Sequence, residues 1–175
     1  MINGVITAFF SDAISTKDEE VFATTSGRHE DQQTWEFLAI LVALRLWIGN
    51  SHYKASQGEE RQPSTEDHPI LAGKRVQLIL RGDNVGSLSL SLKLRPKSLN
   101  MAVIAREVAL VLAHMAFPLR TEHTPGVAHV LVDRLSRVAS DDDPLFNSHP
   151  ALARARRCHP AARGKDWYKA LRLHD

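Results

Sequence analysis

The stretch Arg75–Leu94, RVQLILRGDNVGSLSLSLKL, decides how this chain folds. Val76, Leu78 and Leu80 alternate with polar residues, which is the period-two pattern of a short strand. Gly82-Asp83-Asn84 ends the run, and a leucine-rich segment follows. A strand that delivers a carboxylate at its carboxyl end holds an acid rigidly where α/β sheets bind their ligands. Asp and Asn also favour the helix N-cap, so Asp83 fits that bland role as well. The SLSLSLKL run alternates like a strand, yet Val85, Leu88 and Leu92 also keep helical spacing. The Asp-Asn start selects a helix here.

Upstream, Gln32–Trp47 (QQTWEFLAILVALRLW) reads as a helix rich in Ala, Leu and Glu. Trp35, Leu38, Ala39, Val42 and Leu46 share one face. Phe37, Ile40, Leu41 and Leu44 carry the apolar surface almost all round, so the helix is expected to be sandwiched in the core. Glu36 in its first turn either complements the helix dipole or serves as a carboxylate held at the core edge for a metal. Before this helix, Asn3-Gly4 is a hairpin-turn pair with Val5–Phe10 as the outgoing strand. Asp12–Asp31 reads as a loop with one short element around Val21–Ala23.

Downstream, Ser98 or Asn100 caps a helix over Met101–Met115. Phe117–Thr121 reads as an edge strand behind Pro118, and Val127–Val138 as a last helix. Residues 50–74 are rich in Ser, Gly, Gln, Glu, Pro and His and read as an inserted or disordered loop, with His52 and His68 isolated in it. From Ala139 an acidic run gives way to Arg154, Arg156, Arg157, Arg163, Lys165, Lys169 and Arg172. That tail either is solvated or contacts phosphates, with Trp167 or Tyr168 stacking on a base.

The 175 residues suffice for one domain with a sizeable core. A net charge of +2 does not by itself argue for nucleic acid. Cys158 is the single cysteine, which rules out an internal disulfide and suits a reducing compartment. The expected location is therefore intracellular, cytoplasmic or nuclear. No stretch has the length of a membrane span or the pattern of a signal peptide, so no membrane partner is expected.

Glu36, Asp83 and Asp133 fall on three different elements. Like charges gathered from separate elements repel, which makes little sense as packing and good sense around Mg²⁺. Two such ions about 4 Å apart can activate water and stabilise the leaving oxygen of a phosphodiester.

The local sequences carry a resemblance. His123-Thr-Pro-Gly-Val-Ala-His-Val-Leu-Val-Asp133-Arg-Leu-Ser-Arg137 resembles the "H-x-P-G…A-D-x-L-S-R" segment closing the ribonuclease H domain of retroelement reverse transcriptases, of the LTR or DIRS type. Gln33-Thr-Trp-Glu36-Phe-Leu-Ala39-Ile-Leu-Val-Ala43-Leu is similar to that family's "E-x-x-A-x-x-x-A-L" helix, and Leu80-Arg-Gly-Asp83-Asn84 to its "D-N" strand end. Order and approximate separation agree over residues 1–138.

The resemblance implies an α/β, ribonuclease H-like fold: a mixed five-stranded sheet flanked by helices. The family uses four carboxylates on two Mg²⁺ (or Mn²⁺) ions to hydrolyse the RNA strand of an RNA/DNA hybrid. Glu36, Asp83 and Asp133 would be metal ligands, and His123 would assist proton transfer or product release. Asn84 would lie near the hybrid backbone, with Arg154, Arg156 and Arg157 as nucleic-acid contacts. The family's first acid lies in an upstream "D-A-S" strand. The expectation is therefore an N-terminally truncated domain over 1–138 without its central strand, followed by a basic tail over 139–175. Asp12 imitates the missing motif and reads instead as a loop acid. The functional expectation is impaired hybrid hydrolysis, alone or as part of a retroelement polyprotein. The alternative is a non-catalytic nucleic-acid-binding remnant of the same fold.

Overall fold

The computed structural model describes residues 6–28, 31–47, 77–113, 118–138 and 142–169. The expected Asn3-Gly4 turn, the 50–74 loop and the end of the Met101–Met115 helix lie outside them. Within them the protein is a mixed α/β chain with six α-helices and two short parallel strand pairs.

Strand β2 (Leu78–Gly82) lies parallel to β3 (Leu119–His123), with Leu78 opposite Leu119 and Gly82 opposite His123. Parallel neighbours need a long crossover, because the chain must return to the starting end before it pairs. Helices α3 (Val85–Lys93) and α4 (Leu99–Ala113) supply it. Asn84 begins α3 by accepting the Ser87 N–H on its side chain at 3.0 Å. That bond selects the helical reading of the ambiguous SLSLSLKL run. Leu94 closes α3 in the left-handed region (φ 50°), and its N–H reaches the Leu90 carbonyl at 2.8 Å. Of the two candidate caps for α4, Ser98 is the one in place: its hydroxyl accepts the Met101 N–H at 3.3 Å.

Helix α2 (Gln32–Trp47) packs against α3 and α4, and α3 in turn lies on both strands. Phe37, Leu41, Ile104 and Val108 are completely buried between these layers. Trp35, Leu38 and Val42 join them, as the sequence led one to expect, whereas Ala39 faces solvent. Arg45 interrupts the apolar run for a reason that lies on another helix. Its guanidinium pairs with the fully buried Glu107 of α4 and sits 3.9 Å over the Trp167 ring.

Several expectations need correction. Residues Asp12–Asp31 are not a loop with one short element, since Thr16–Phe22 forms helix α1. Ser15 and Asp18 close a reciprocal capping box at its start, a motif that satisfies two otherwise orphaned backbone donors. The strand near the N-terminus is short: β1 (Ala8–Phe9) pairs in parallel with β4 (Arg156–Arg157), some 150 residues along the chain. A mixed five-stranded sheet is not present among the described residues, whose strands form two separate parallel pairs. Phe9 points instead into a second apolar cluster with Leu145, Phe146 and Leu152, so β1 follows that cluster rather than β2 and β3.

Residues 142–169 are therefore no loose tail. Beyond helices α5 (Val130–Ser136) and α6 (Leu145–Ser148), β4 and the turn over Lys165–Trp167 lead to Tyr168, which has no exposed surface. Tyr168 packs edge-on against Phe22 in the main core and donates its hydroxyl to Asp18 Oδ1 at 3.0 Å. Arg163 grips Asp18 with Nε and Nη2 at 2.9 Å each, and also binds Asp12 and the Ala13 carbonyl. Burial alone would lower the Arg163 pKa, yet the two carboxylates raise it well above its ordinary value. Asp12 is a loop acid whose partner is this arginine. A fully buried Tyr168 cannot stack on a base, and of the two expected aromatics only the half-buried Trp167, which packs under Arg45, keeps exposed surface.

Candidate functional site at the carboxyl ends of β2 and β3

Strand β2 stops at Gly82, where a Cβ would already stand 3.4 Å from Leu88. The next residue, Asp83, sits in the turn between β2 and α3. Asn84, one residue later, takes the N-cap role that Asp83 could have filled. Asp83 is exposed, and among the described residues its carboxylate makes no hydrogen bond or ion pair.

Helix α2 brings Glu36 to the same corner. Its Oε1 accepts Gln32 Nε2 at 3.1 Å and its Oε2 accepts the Ser87 hydroxyl at 3.3 Å. Burial raises the Glu36 pKa above the usual carboxylate value, and the nearby negative charge of Asp83 raises it further. Gln32, Ser87 and Asn84 offset part of this. Glu36 thus lies near enough to Asp83 to feel its charge, and among the described residues no cation pairs with the Asp83 carboxylate. Like charges on separate elements make it harder for both groups to ionise.

His123, the last residue of β3, lies beside Gly82 and places Nε2 3.1 Å from the Asp83 carbonyl oxygen. A carbonyl only accepts, so this contact requires the proton on Nε2, and in the neutral ring Nδ1 is then the acceptor. The following turn over Gly126–Ala128 passes close by, since a Cβ on Gly126 would stand 3.5 Å from Asp83 Oδ2. The "H-x-P-G" segment and the "D-N" strand end are therefore neighbours in space.

Asp133 behaves differently. It lies on α5 and is clasped by Arg137, one turn on, with Nη2 to Oδ1 at 2.9 Å and Nε to both oxygens at 3.2 Å. Both side chains are exposed, and such i,i+4 surface pairs contribute little to stability. Among the described residues no three His, Cys, Asp or Glu side chains form a group that could hold a metal ion. Of the three expected ligands, Glu36 and Asp83 lie at the same corner of the fold, and Asp133 is paired with Arg137.

Of the expected phosphate contacts, Arg154 and Arg156 are exposed, while Arg157 is half-buried with its guanidinium 3.9 Å over the Phe146 ring. Gln32 and Ser87 are the site residues that sequence reasoning missed. A signal for Ser87 existed: a polar residue recurs on the buried stripe of SLSLSLK. No helix among the described residues is long and apolar enough to cross a membrane. In comparisons with protein-family models, curated proteins and solved structures, nothing matches the chain.

Proposed function

We propose that the chain is a ribonuclease H-like domain of a retroelement reverse transcriptase, which binds RNA/DNA hybrids and hydrolyses their RNA strand poorly. The observation that carries this reading is the Glu36–Asp83 pair at the carboxyl ends of two parallel strands, flanked by His123 and Asn84. It joins the sequence resemblance of three separate segments to one corner of the fold.

Mg²⁺ takes oxygen ligands and is often held by one or two carboxylates, waters and substrate phosphate oxygens. Glu36 and Asp83 fit that requirement for one Mg²⁺ or Mn²⁺ ion. A second ion would draw on Asp133, which would first have to leave Arg137. The bound cation would supply Lewis-acid polarisation of the phosphodiester and a more acidic water. Gln32 and Ser87 hold the Glu36 carboxylate in place, and His123 Nδ1 remains able to accept a proton at the rim of the site. Exposed Arg154 and Arg156 would add sequence-independent, salt-sensitive attraction for phosphates.

The Asp133–Arg137 pairing favours a second reading, a nucleic-acid-binding module without hydrolysis. A fluorescently labelled RNA/DNA hybrid incubated with the purified chain in Mg²⁺ separates the two. Slow RNA cleavage abolished by Asp83→Asn supports the enzyme. Binding that weakens with salt, without cleavage, supports the module. Neither binding nor cleavage overturns both.

A further inference from the structure

We propose that Ser87 is a positioning residue that fixes the Glu36 carboxylate; the proposal rests on the reading of Glu36 and Asp83 as cation ligands. Ser87 is only 2% exposed, and a buried hydroxyl must find a partner. On a helix the usual partner is the carbonyl four residues back. Ser91, on the same face of α3, follows that habit and donates to the Ser87 carbonyl at 2.9 Å. Ser87 does not. Ser87 is the third residue of the helix, so the carbonyl four residues back belongs to Asp83, in the turn before the N-cap, and it lies 3.1 Å from His123 Nε2.

The Ser87 hydroxyl instead crosses to α2, where it lies 3.3 Å from Glu36 Oε2 and 3.5 Å from the Gln33 carbonyl oxygen. The charged carboxylate is the stronger acceptor of the two. Gly86 lies against the Gln33 side-chain amide, which would have to swing aside for a Cβ at that position. Gln32 holds the other Glu36 oxygen from one turn earlier on α2, but it is solvent-exposed. The buried tether is therefore Ser87. A group that orients a ligand in this way commonly changes metal affinity about 10- to 100-fold when removed.

Two readouts on the full chain test this. In metal-free protein, NMR relaxation of the Glu36 γ-methylene should show a loss of order in Ser87→Ala. In an electron-paramagnetic-resonance titration, Mn²⁺ binding should weaken roughly tenfold in the same variant. Ser87→Thr keeps the hydroxyl and should retain both properties. Unchanged Glu36 order in Ser87→Ala overturns the proposal, and so do equal losses in the Ala and Thr variants, which would trace the effect to packing. If the wild-type chain binds no Mn²⁺, the cation reading falls, and the metal-free relaxation measurement still decides whether Ser87 positions Glu36.

Discussion

Glu36 is half-buried and Asp18 fully buried, and their surroundings send them in opposite directions. Glu36 is raised from its ordinary 4.5 by burial and by Asp83. The folded protein therefore holds this proton more tightly than the unfolded chain, and stability is lost as pH rises from 4.5 through the raised folded value. Glu36→Gln should make the protein more stable than wild type at pH 7, with the difference fading below pH 4.5. Urea unfolding at both pH values checks this, and a variant less stable at pH 7 would contradict it. Asp18 is also buried, which alone would raise it, but Arg163 and the Ser15 donors bring it below its ordinary 3.8. Its contribution is present above that value and disappears as pH falls through the lower folded one. Removing one member of a buried pair leaves the other charge uncompensated, so Arg163→Ala should destabilise the fold by about 3–5 kcal/mol. Unfolding within 1 kcal/mol of wild type would show the cluster to be solvated. Glu36 and Asp83 were legible as candidates because each sits in a short local motif. The Asp18–Arg163 bond was not, because its partners are 145 residues apart and nothing local marks them.

Among the elements, α1 shows what a terminus contributes. Its capping box depends on the Ser15 hydroxyl, and Ala23 ends the helix at a left-handed φ of 48°. Ser15→Ala should cost about 1 kcal/mol, the usual loss for such a cap. Ala23 is exposed, and glycine enters the left-handed region without the Cβ penalty. Ala23→Gly should thus stabilise by about 1 kcal/mol. Thermal unfolding of both variants should give shifts of opposite sign; two shifts in the same direction would remove the account of this helix. Helix α2 was readable because propensity and apolar spacing agree over its whole length. Helix α3 was ambiguous until its cap was considered, since SLSLSLKL satisfies two periods at once. The partner of strand β1 was not legible, because a two-residue strand is chosen by its distant partner and by the cluster that Phe9 enters.

At the scale of the molecule, the boundary drawn at residue 138 from charge and composition is crossed by packing. Tyr168 lies in the main core, Leu152 in the second, and β4 pairs with β1. Composition misled here because basic residues can serve buried acids as well as solvent, and Arg163 does so. A chain ending at Val138 loses a buried aromatic whose removal alone typically costs 3–5 kcal/mol, roughly a third of a small domain's stability. It should unfold without a cooperative transition, as read by circular dichroism against denaturant. A sharp transition at the wild-type midpoint would restore the tail to the surface.

The central claim, a divalent cation held between Glu36 and Asp83, is tested most directly by paramagnetic broadening. Substoichiometric Mn²⁺ added to isotope-labelled protein should broaden the amide signals of Gln33–Phe37 and Gly82–Ser87 together, and Asp83→Asn should abolish the effect. Broadening confined to Asp133 and the acids near Asp142, or unaffected by Asp83→Asn, would contradict the account.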